Sequence, residues 1–583
     1  MVELAPGSEP QLHLDLRQPE RHLVQARLEL VPRHRRLELR LPAWTPGSYL
    51  IRDYVRTLEA LEVRQGGRRW AVERREVACW TVDLDALDPV TIHWRILATE
   101  LSVRTCHLNS DHGFLALAGV ALLVEGERWN RYHLNLQLPQ GWQAFVPLPA
   151  DPSGGWWAED FDQLVDTPVE VGPHPQHGFA VAGVPHRWVG WGGDLPSRDP
   201  SWLAAVEQVC LACCRLMGAS TPPAAHYLFV LHLLEQGYGG LEHDHSCVLQ
   251  YGRQALARPD GRRKLLQLVA HEYLHQWNVR RLRPAQLTPI PYHQPAIVPT
   301  LWFAEGITSY LDLLLPRAAG LTTEEEVLED LGADLSRYLL TPGRHGQSLR
   351  QSSQEAWVKL YRQDAYSADS QVSYYLKGAV VALMLDLHLR RHGSWLGAVL
   401  QELWSRFGAS RRGYGEMDLL AAFCSHAEDL STILPKWLES TDDPTIDSYL
   451  ADVGLRLLPN YFTHWSFGWQ VDSDRGGLRL KRVERDGAAE QAGLEVGDEL
   501  IAIAGARLRQ PEDLHSLGTA QLQSQPQLQP IEPMELLMCR DGRIRSLTIQ
   551  PAPPQIQTWR LAPLPEAAPG SGERRQRWLG LRP

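Results

Sequence analysis

At 583 residues the chain is too long for one small module, and at roughly 150 residues per domain it implies three to four. Hydrophobic residues at 44% and charged residues at 22% match soluble globular proteins and exclude a disordered polymer. Lys plus Arg total 58 against 69 for Asp plus Glu; the formal charge of -11 leaves no basic footprint for nucleic acid.

The N-terminus, MVELAPGSEPQLHLDL, has neither a basic n-region nor an apolar h-region, so a cytoplasmic location is expected unless a leader has been trimmed. From about 10 to 190, runs such as LHLDL, RLELRL, WTVDLDAL, VTIHWRIL and YHLNLQL alternate with Pro and Gly turns. That period of two predicts an antiparallel all-β domain, assigned to 1–190. The longest apolar run, Phe114 to Val124, is half the length a membrane-spanning helix needs and is closed by Glu125, so no membrane association is expected.

From about 195 to 455 the period becomes 3.6, with helices predicted at 200–217, 262–278, 303–316, 323–340, 371–391 and 395–406 and one β run, YLFVLHLL, at 227–234. This segment, 191–455, is the predicted catalytic domain. Its first helix carries Cys210, Cys213 and Cys214, entered by Asp199 and Pro200 and left by Gly218. No second Cys pair stands at zinc-ribbon spacing, so these read as core thiols. Eight cysteines in so long a chain form no disulfide framework and suit a reducing compartment. Short strands and Gly turns mark a further small domain at 456–552, and a Pro- and Arg-rich tail, 553–583, carries no pattern that demands regular structure.

The strongest chemical signal is HEYLH at 271–275 within KLLQLVAHEYLHQWN. On a helix His271 and His275 share one face, so both imidazoles can reach one ion, while Glu272 points beside them toward a bound water. A catalytic zinc wants three protein ligands and one open position, and His2Glu is a common set. Glu305, 30 residues after His275 in LWFAEGITSYLDLL, supplies the carboxylate on an apolar helix where an unpaired charge would be costly. Asp312, two turns on, is either an acceptor behind a ligand His or a surface residue.

HEYLHQWN followed by WFAEG, with YGGLEH upstream and YYLKGA downstream, resembles the M61 glycyl aminopeptidases, gluzincin metallopeptidases with a C-terminal PDZ domain. LPAWTPGSYLIRDY at 41–54 and VRTCHLNSDHGF near 103–114 fit the same family, so the resemblance covers nearly the whole chain; the long Trp-containing tail departs from it. The resemblance implies that Gly239, Gly240 and Glu242 of YGGLEHDHS bind the substrate, Glu242 holding its free α-amine. A cationic amine in a closed pocket needs such a carboxylate. The HDH triplet, His243 to His245, reads as solvated loop or pocket residues rather than a second metal cluster. The resemblance also makes Tyr375 the oxyanion donor, with Tyr374 as its rival, and Glu272 the general base for a zinc held by His271, His275 and Glu305.

VERDGAAEQAGLEVGDELIAIAG at 483–505 has the pattern of a PDZ domain: a strand, a short helix near 488–492, a Gly493 turn and a second strand. SFGWQV at 466–471 resembles the loop whose backbone N–H groups capture a terminal carboxylate, which points to Phe467, Gly468 and Trp469 and to a peptide C-terminus as partner.

The expected architecture is therefore a multidomain α+β protein: an N-terminal antiparallel β domain, a thermolysin-like, mainly α-helical catalytic domain and a C-terminal PDZ-like domain. The expected function is a zinc aminopeptidase, one Zn2+ per chain, acting on peptides with a free N-terminus; a preference for Gly or Ala is implied by the family alone. Two alternatives stand beside it: a zinc endopeptidase that recruits proteins through the PDZ domain, and an inactive peptidase-fold scaffold.

Overall fold

The computed structural model describes residues 9–474, 477–517 and 532–583. The N-terminal region folds into one seven-stranded sheet and two four-stranded sheets. In Leu23–Leu30 and Val90–Leu97 every second residue is buried, which is what places one face of each strand on the core. The pairing is antiparallel throughout the seven-stranded sheet except for one parallel pair, Gln11–Asp15 beside Tyr132–Gln137. The apolar run near 114–124 is two buried strands joined by a short 3-10 turn. No described helix is long and apolar enough to cross a membrane.

The helical middle region stands on a five-stranded sheet in the order Gln176–Val181, Val184–Trp191, Tyr227–Leu234, Ser246–Gly252, Tyr238–Glu242. Its first two strands lie on the N-terminal side of the boundary expected at 190/191, so that boundary cuts a continuous sheet. The alternation of QHGFAV and VPHRWVGW is the same as in the preceding β domain, and only the parallel pairing of Val184–Trp191 with Tyr227–Leu234 shows which sheet they join. Tyr227–Leu234 is central and buried on both faces, which accounts for its continuous apolar sequence. Tyr238–Glu242 forms the edge and pairs on one side only, antiparallel to Ser246–Gly252.

Helices follow at Trp202–Leu216, Gly261–Leu274, Ile307–Ala318, Glu324–Leu339, Tyr374–Arg391 and Leu396–Leu403. Cys210, Cys213 and Cys214 are buried and free, and burial pushes all three thiols up, so they are neutral core groups.

The C-terminal domain, expected to be PDZ-like, has a core of its own, built from Leu478, Leu480, Leu500, Ile503, Leu536 and Met538. Its strands include Trp469–Asp474, Gly477–Val483 and Glu499–Ile503, with a short helix at Ala488–Gln491. It emerges from a two-stranded stalk, Leu455–Tyr461 paired with Ile556–Pro563. The tail is thus not structureless. Its strand docks on Glu324–Leu339, where the Ser336 hydroxyl donates to the Trp559 carbonyl at 2.7 Å. Its helix, Ser571–Leu579, inserts Trp578 completely into the middle domain. Only Trp578 and Leu579 are apolar in SGERRQRWL, so the sequence offers no helical stripe; the partners lie far away in the chain.

Candidate active site

The helix Gly261–Leu274 carries His271 and Glu272 in its last turn, and His275 follows at the cap position with helical torsions, φ -59° and ψ -16°. The helix therefore stops short of the expected end at 278, and Asn278 is free to turn inward. Glu305 comes from a π-helical turn, Trp302–Gly306, that opens the next long helix. Such a widened turn re-aims one side chain out of the regular helical rows. The Glu305 carboxylate lies 3.5 Å from His271 Nε2 and 3.2 Å from His275 Nε2, with Glu305 only 2% exposed.

Behind these atoms both rings are anchored. His271 Nδ1 lies 2.8 Å from Asp312 Oδ2, and His275 Nδ1 lies 2.5 Å from the Asn278 carbonyl. Asn278 in turn donates to the carbonyls of Phe303 and Ala304 at 3.1 and 3.2 Å, tying the motif to the Glu305 turn. A carbonyl can only accept, so the His275 Nδ1 must carry the proton, and the neutral ring turns an Nε2 lone pair toward a carboxylate. That face-to-face arrangement of lone pairs is stable only with a cation between them. Burial pulls the imidazoles down, but Asp312 and Glu305 beside His271, and Glu305 beside His275, hold both above their ordinary value, which marks a site that favours positive charge. The donor set suits a divalent metal of the zinc type, with two nitrogens and one oxygen converging and a carboxylate behind a ligand ring.

Glu272 is 4% exposed and its Oε2 has no partner. Burial pushes its carboxyl up to about 7, against the opposing pull of His271 and His275. A Cβ at position 240 would overlap the Glu272 carboxylate, so Gly240 is glycine because the acid packs on its Cα. Glu242, at the end of the edge strand, also has an unpartnered buried oxygen, Oε1. It is seated against Gly47, whose φ is +80° and whose Cβ would stand 2.5 Å from Glu242 Oε2. One ligand atom each of Glu242, Glu272 and His275 lies within 4.8 Å of the others. Gly47 was missed at the sequence level; the turn dipeptide Pro46–Gly47 signals a bend but not what packs there.

Tyr374 is fully buried, whereas Tyr375 is partly exposed and lines the same cavity as His271 and Glu272. The Tyr375 ring stacks on His271 with centroids 6.4 Å apart, and its hydroxyl lies 3.2 Å from that of Tyr361. Tyr361 is a second residue the sequence did not single out. The cavity measures about 600 Å³ and also receives Arg104, Tyr238 and Asp312.

Of the HDH triplet, expected as solvated loop or pocket residues, His243 is buried and Asp244 and His245 are partly buried. His243 is buried on Asp166 at 3.1 Å, and Asp244 sits between Arg280 and Arg411 at 2.9 and 2.6 Å. It supplies no metal cluster among the described residues. A different buried group, His112, Glu170 and His232, joins the N-terminal sheets to the central strand of the middle sheet, with Glu170 3.0 Å from His112 Nδ1 and 2.9 Å from His232 Nε2. Phe467, Gly468 and Trp469 line a separate cavity of about 600 Å³ that is walled on its other side by Leu340 and Pro342 of the middle region. Gly468 has φ +67°, and the rings of Phe467 and Trp469 stack 4.7 Å apart.

Comparison with known proteins agrees with this layout. The family model of the peptidase M61 N-terminal domain matches residues 11–173, that of the M61 glycyl aminopeptidases matches 264–381 and that of a PDZ domain matches 479–527. An aminopeptidase N family protein from Idiomarina loihiensis is 27% identical and superposes with a TM-score of 0.90, covering 98% of this chain and 100% of its own. An M1 zinc metallopeptidase from Deinococcus radiodurans is 16% identical with a TM-score of 0.48, over 75% of this chain and 95% of its own. No curated protein matches. Fold and family models together define a metallopeptidase with a β-rich N-terminal domain, a helical middle domain and a PDZ domain. Within that class it is the M61 family whose models match this chain, over its N-terminal and middle regions.

Proposed function

We propose that this metallopeptidase is a zinc aminopeptidase that releases N-terminal residues, small ones such as Gly or Ala by analogy with the M61 glycyl aminopeptidases, from peptides. One observation carries the reading: Glu242 ends the edge strand with an unpartnered buried oxygen, within 4.8 Å of Glu272 and His275. An extended peptide can add to that edge by main-chain pairing, and a carboxylate at the strand's end receives its α-ammonium group.

His271, His275 and Glu305 would hold the zinc, one ion per chain, which when bound supplies a Lewis acid and a water that ionises near neutral pH. Glu272 takes the proton from the attacking water and returns it to the leaving amine. Tyr375 donates its hydroxyl to the scissile carbonyl oxygen as negative charge builds there, with Tyr361 orienting that hydroxyl. Asp312 keeps the His271 ring turned with Nε2 inward.

The PDZ loop at Phe467, Gly468 and Trp469 would receive a peptide C-terminus. Free cysteines throughout suit a cytoplasmic setting.

The test is metal content together with hydrolysis of free and N-acetylated Gly- and Ala-peptides by wild type and Glu242→Ala. About one zinc per chain, cleavage of the free amines only and loss of that selectivity in the variant are expected. Cleavage of acetylated peptides at equal rates would make the protein an endopeptidase, and inactive, zinc-free protein would make it a scaffold.

A further inference from the structure

The catalytic cavity is lined by four carboxylates, Asp260, Glu272, Asp312 and Asp334, and by as many cations, Arg104, Arg258, Lys264 and Arg337. Arg104 reaches it from the N-terminal domain, out of a turn that is itself well fixed: the Tyr54 hydroxyl donates to the Arg104 carbonyl at 2.8 Å, and the Arg104 N–H donates to Ser102 Oγ at 3.2 Å. The guanidinium donates through Nη2 to the Gly240 carbonyl at 3.2 Å, while its Nε is buried with no partner. Among the described residues it has no ion pair with any carboxylate, in contrast to Arg280, which lies on both Asp166 and Asp244. The nearby Arg52 guanidinium donates to the Ser48 hydroxyl at 3.2 and 2.8 Å; burial lowers its pKa and the charge of Arg104 lowers it further. Neither guanidinium is in a direct ion pair among the described residues, so Arg104 is left with an unpartnered donor at the cavity wall.

Gly240 lies on the edge strand two residues before Glu242, and its carbonyl, bonded to Arg104, is part of the edge along which a peptide would lie. A strand advances about 3.3 Å per residue. A peptide whose amine is at Glu242 therefore brings its second or third residue to the level of Gly240 and the guanidinium. An arginine fork is suited to bind a carboxylate in two parallel hydrogen bonds, and Nε is one of the two donors such a pair uses.

Resting on the aminopeptidase reading, we infer that Arg104 is a specificity-determining residue that pairs with a substrate carboxylate one or two residues beyond the free amine. Such a carboxylate has two chemical sources, the free C-terminus of a di- or tripeptide and the side chain of an acidic residue.

The test compares kcat/KM for Ala-Ala with Ala-Ala-amide, and for Ala-Asp-amide with Ala-Asn-amide, in wild type, Arg104→Gln and Arg104→Lys. Wild type is expected to favour the charged member of at least one pair by about thirtyfold or more, the lower range for a buried charge pair left without its partner. Arg104→Gln should bring that ratio close to one, and Arg104→Lys should keep part of it. The pair that shows the effect tells whether terminus or side chain is read. Because the readout is a ratio within each variant, damage to the Gly240 contact cancels. No charge preference in wild type, or one that survives in Arg104→Gln, would overturn the proposal. N-acetylating the same peptides separates the two ideas: a charge ratio that persists on acetylated substrates keeps the role of Arg104 and refutes the aminopeptidase.

Discussion

Gly306 and Gly378 touch backbone to backbone: a Cβ on Gly306 would stand 2.5 Å from the Gly378 Cα, and one on Gly378 would stand 2.9 Å from the Gly306 Cα. Gly306 follows Glu305 directly, and Gly378 lies one helical turn beyond Tyr374 and Tyr375. The contact therefore sets the spacing between the carboxylate and the phenol of the candidate site. A methyl group at either position has to push the helices apart at a cost of about 1–3 kcal/mol. Gly378→Ala is expected to lower the melting temperature, weaken zinc binding and reduce kcat together. Calorimetry and metal titration of the same sample check it; unchanged zinc affinity would show that the helix spacing does not govern Glu305.

The acid limb of activity should belong to Glu272. Burial raises this carboxyl to about 7 while the two histidines oppose the rise. A general base works only when deprotonated, so activity is lost as pH falls through its pKa, about tenfold per unit on the acid side. A dication held by the adjacent ligands stabilises the carboxylate, so the limb stands at or below 7 in the loaded enzyme. Glu272→Gln should retain zinc yet lose turnover by several orders of magnitude, about the scale of losing an essential proton-transfer group. Near-normal turnover in that variant, measured with its metal content, would remove Glu272 from the mechanism.

The parts of this site that were legible in the sequence are those that a local pattern encodes. His271, Glu272 and His275 share a local period, and Glu305 stands out as a carboxylate in an apolar stretch. Gly47 against Glu242, Arg104 on Gly240 and Tyr361 beside Tyr375 were not legible, because each contact joins segments that no local pattern relates. The fold divided in the same way. Period two found the β domain, but strands at 176–191 read alike whichever sheet they join, and only their parallel partner decides it.

Tyr375 and Tyr374 can be told apart by function. Both hydroxyls approach Tyr361, at 3.2 and 3.4 Å, but only Tyr375 borders the cavity beside His271. Removing an oxyanion donor costs about 10²–10³ in kcat. Tyr375→Phe is expected to show that loss with KM little changed, and Tyr374→Phe a much smaller one. Single-turnover rates on one peptide substrate compare them; equal losses would mean that the tyrosine cluster acts only through its packing.

The C-terminal helix is expected to be part of the middle domain's stability rather than an appendage. Trp578 is fully buried, its Nε1 donates to the Tyr310 hydroxyl at 2.6 Å, and Tyr310 donates to Asp386 Oδ2 at 2.8 Å. Tyr310 stands on the helix that Glu305 opens, and Asp386 on the helix that Tyr375 opens, so the indole closes a polar chain bridging the two elements behind the site. Arg575 adds a contact to Glu324 at 2.6 Å. Trp578→Ala removes the ring and leaves a buried hydroxyl short of a donor, a loss of about 3–5 kcal/mol. The full-length variant should unfold at lower denaturant, with the middle domain losing protection from amide exchange while the PDZ core keeps its own. If exchange in the helices Ile307–Ala318 and Tyr374–Arg391 were unaltered, the tail would be a passenger despite its buried tryptophan.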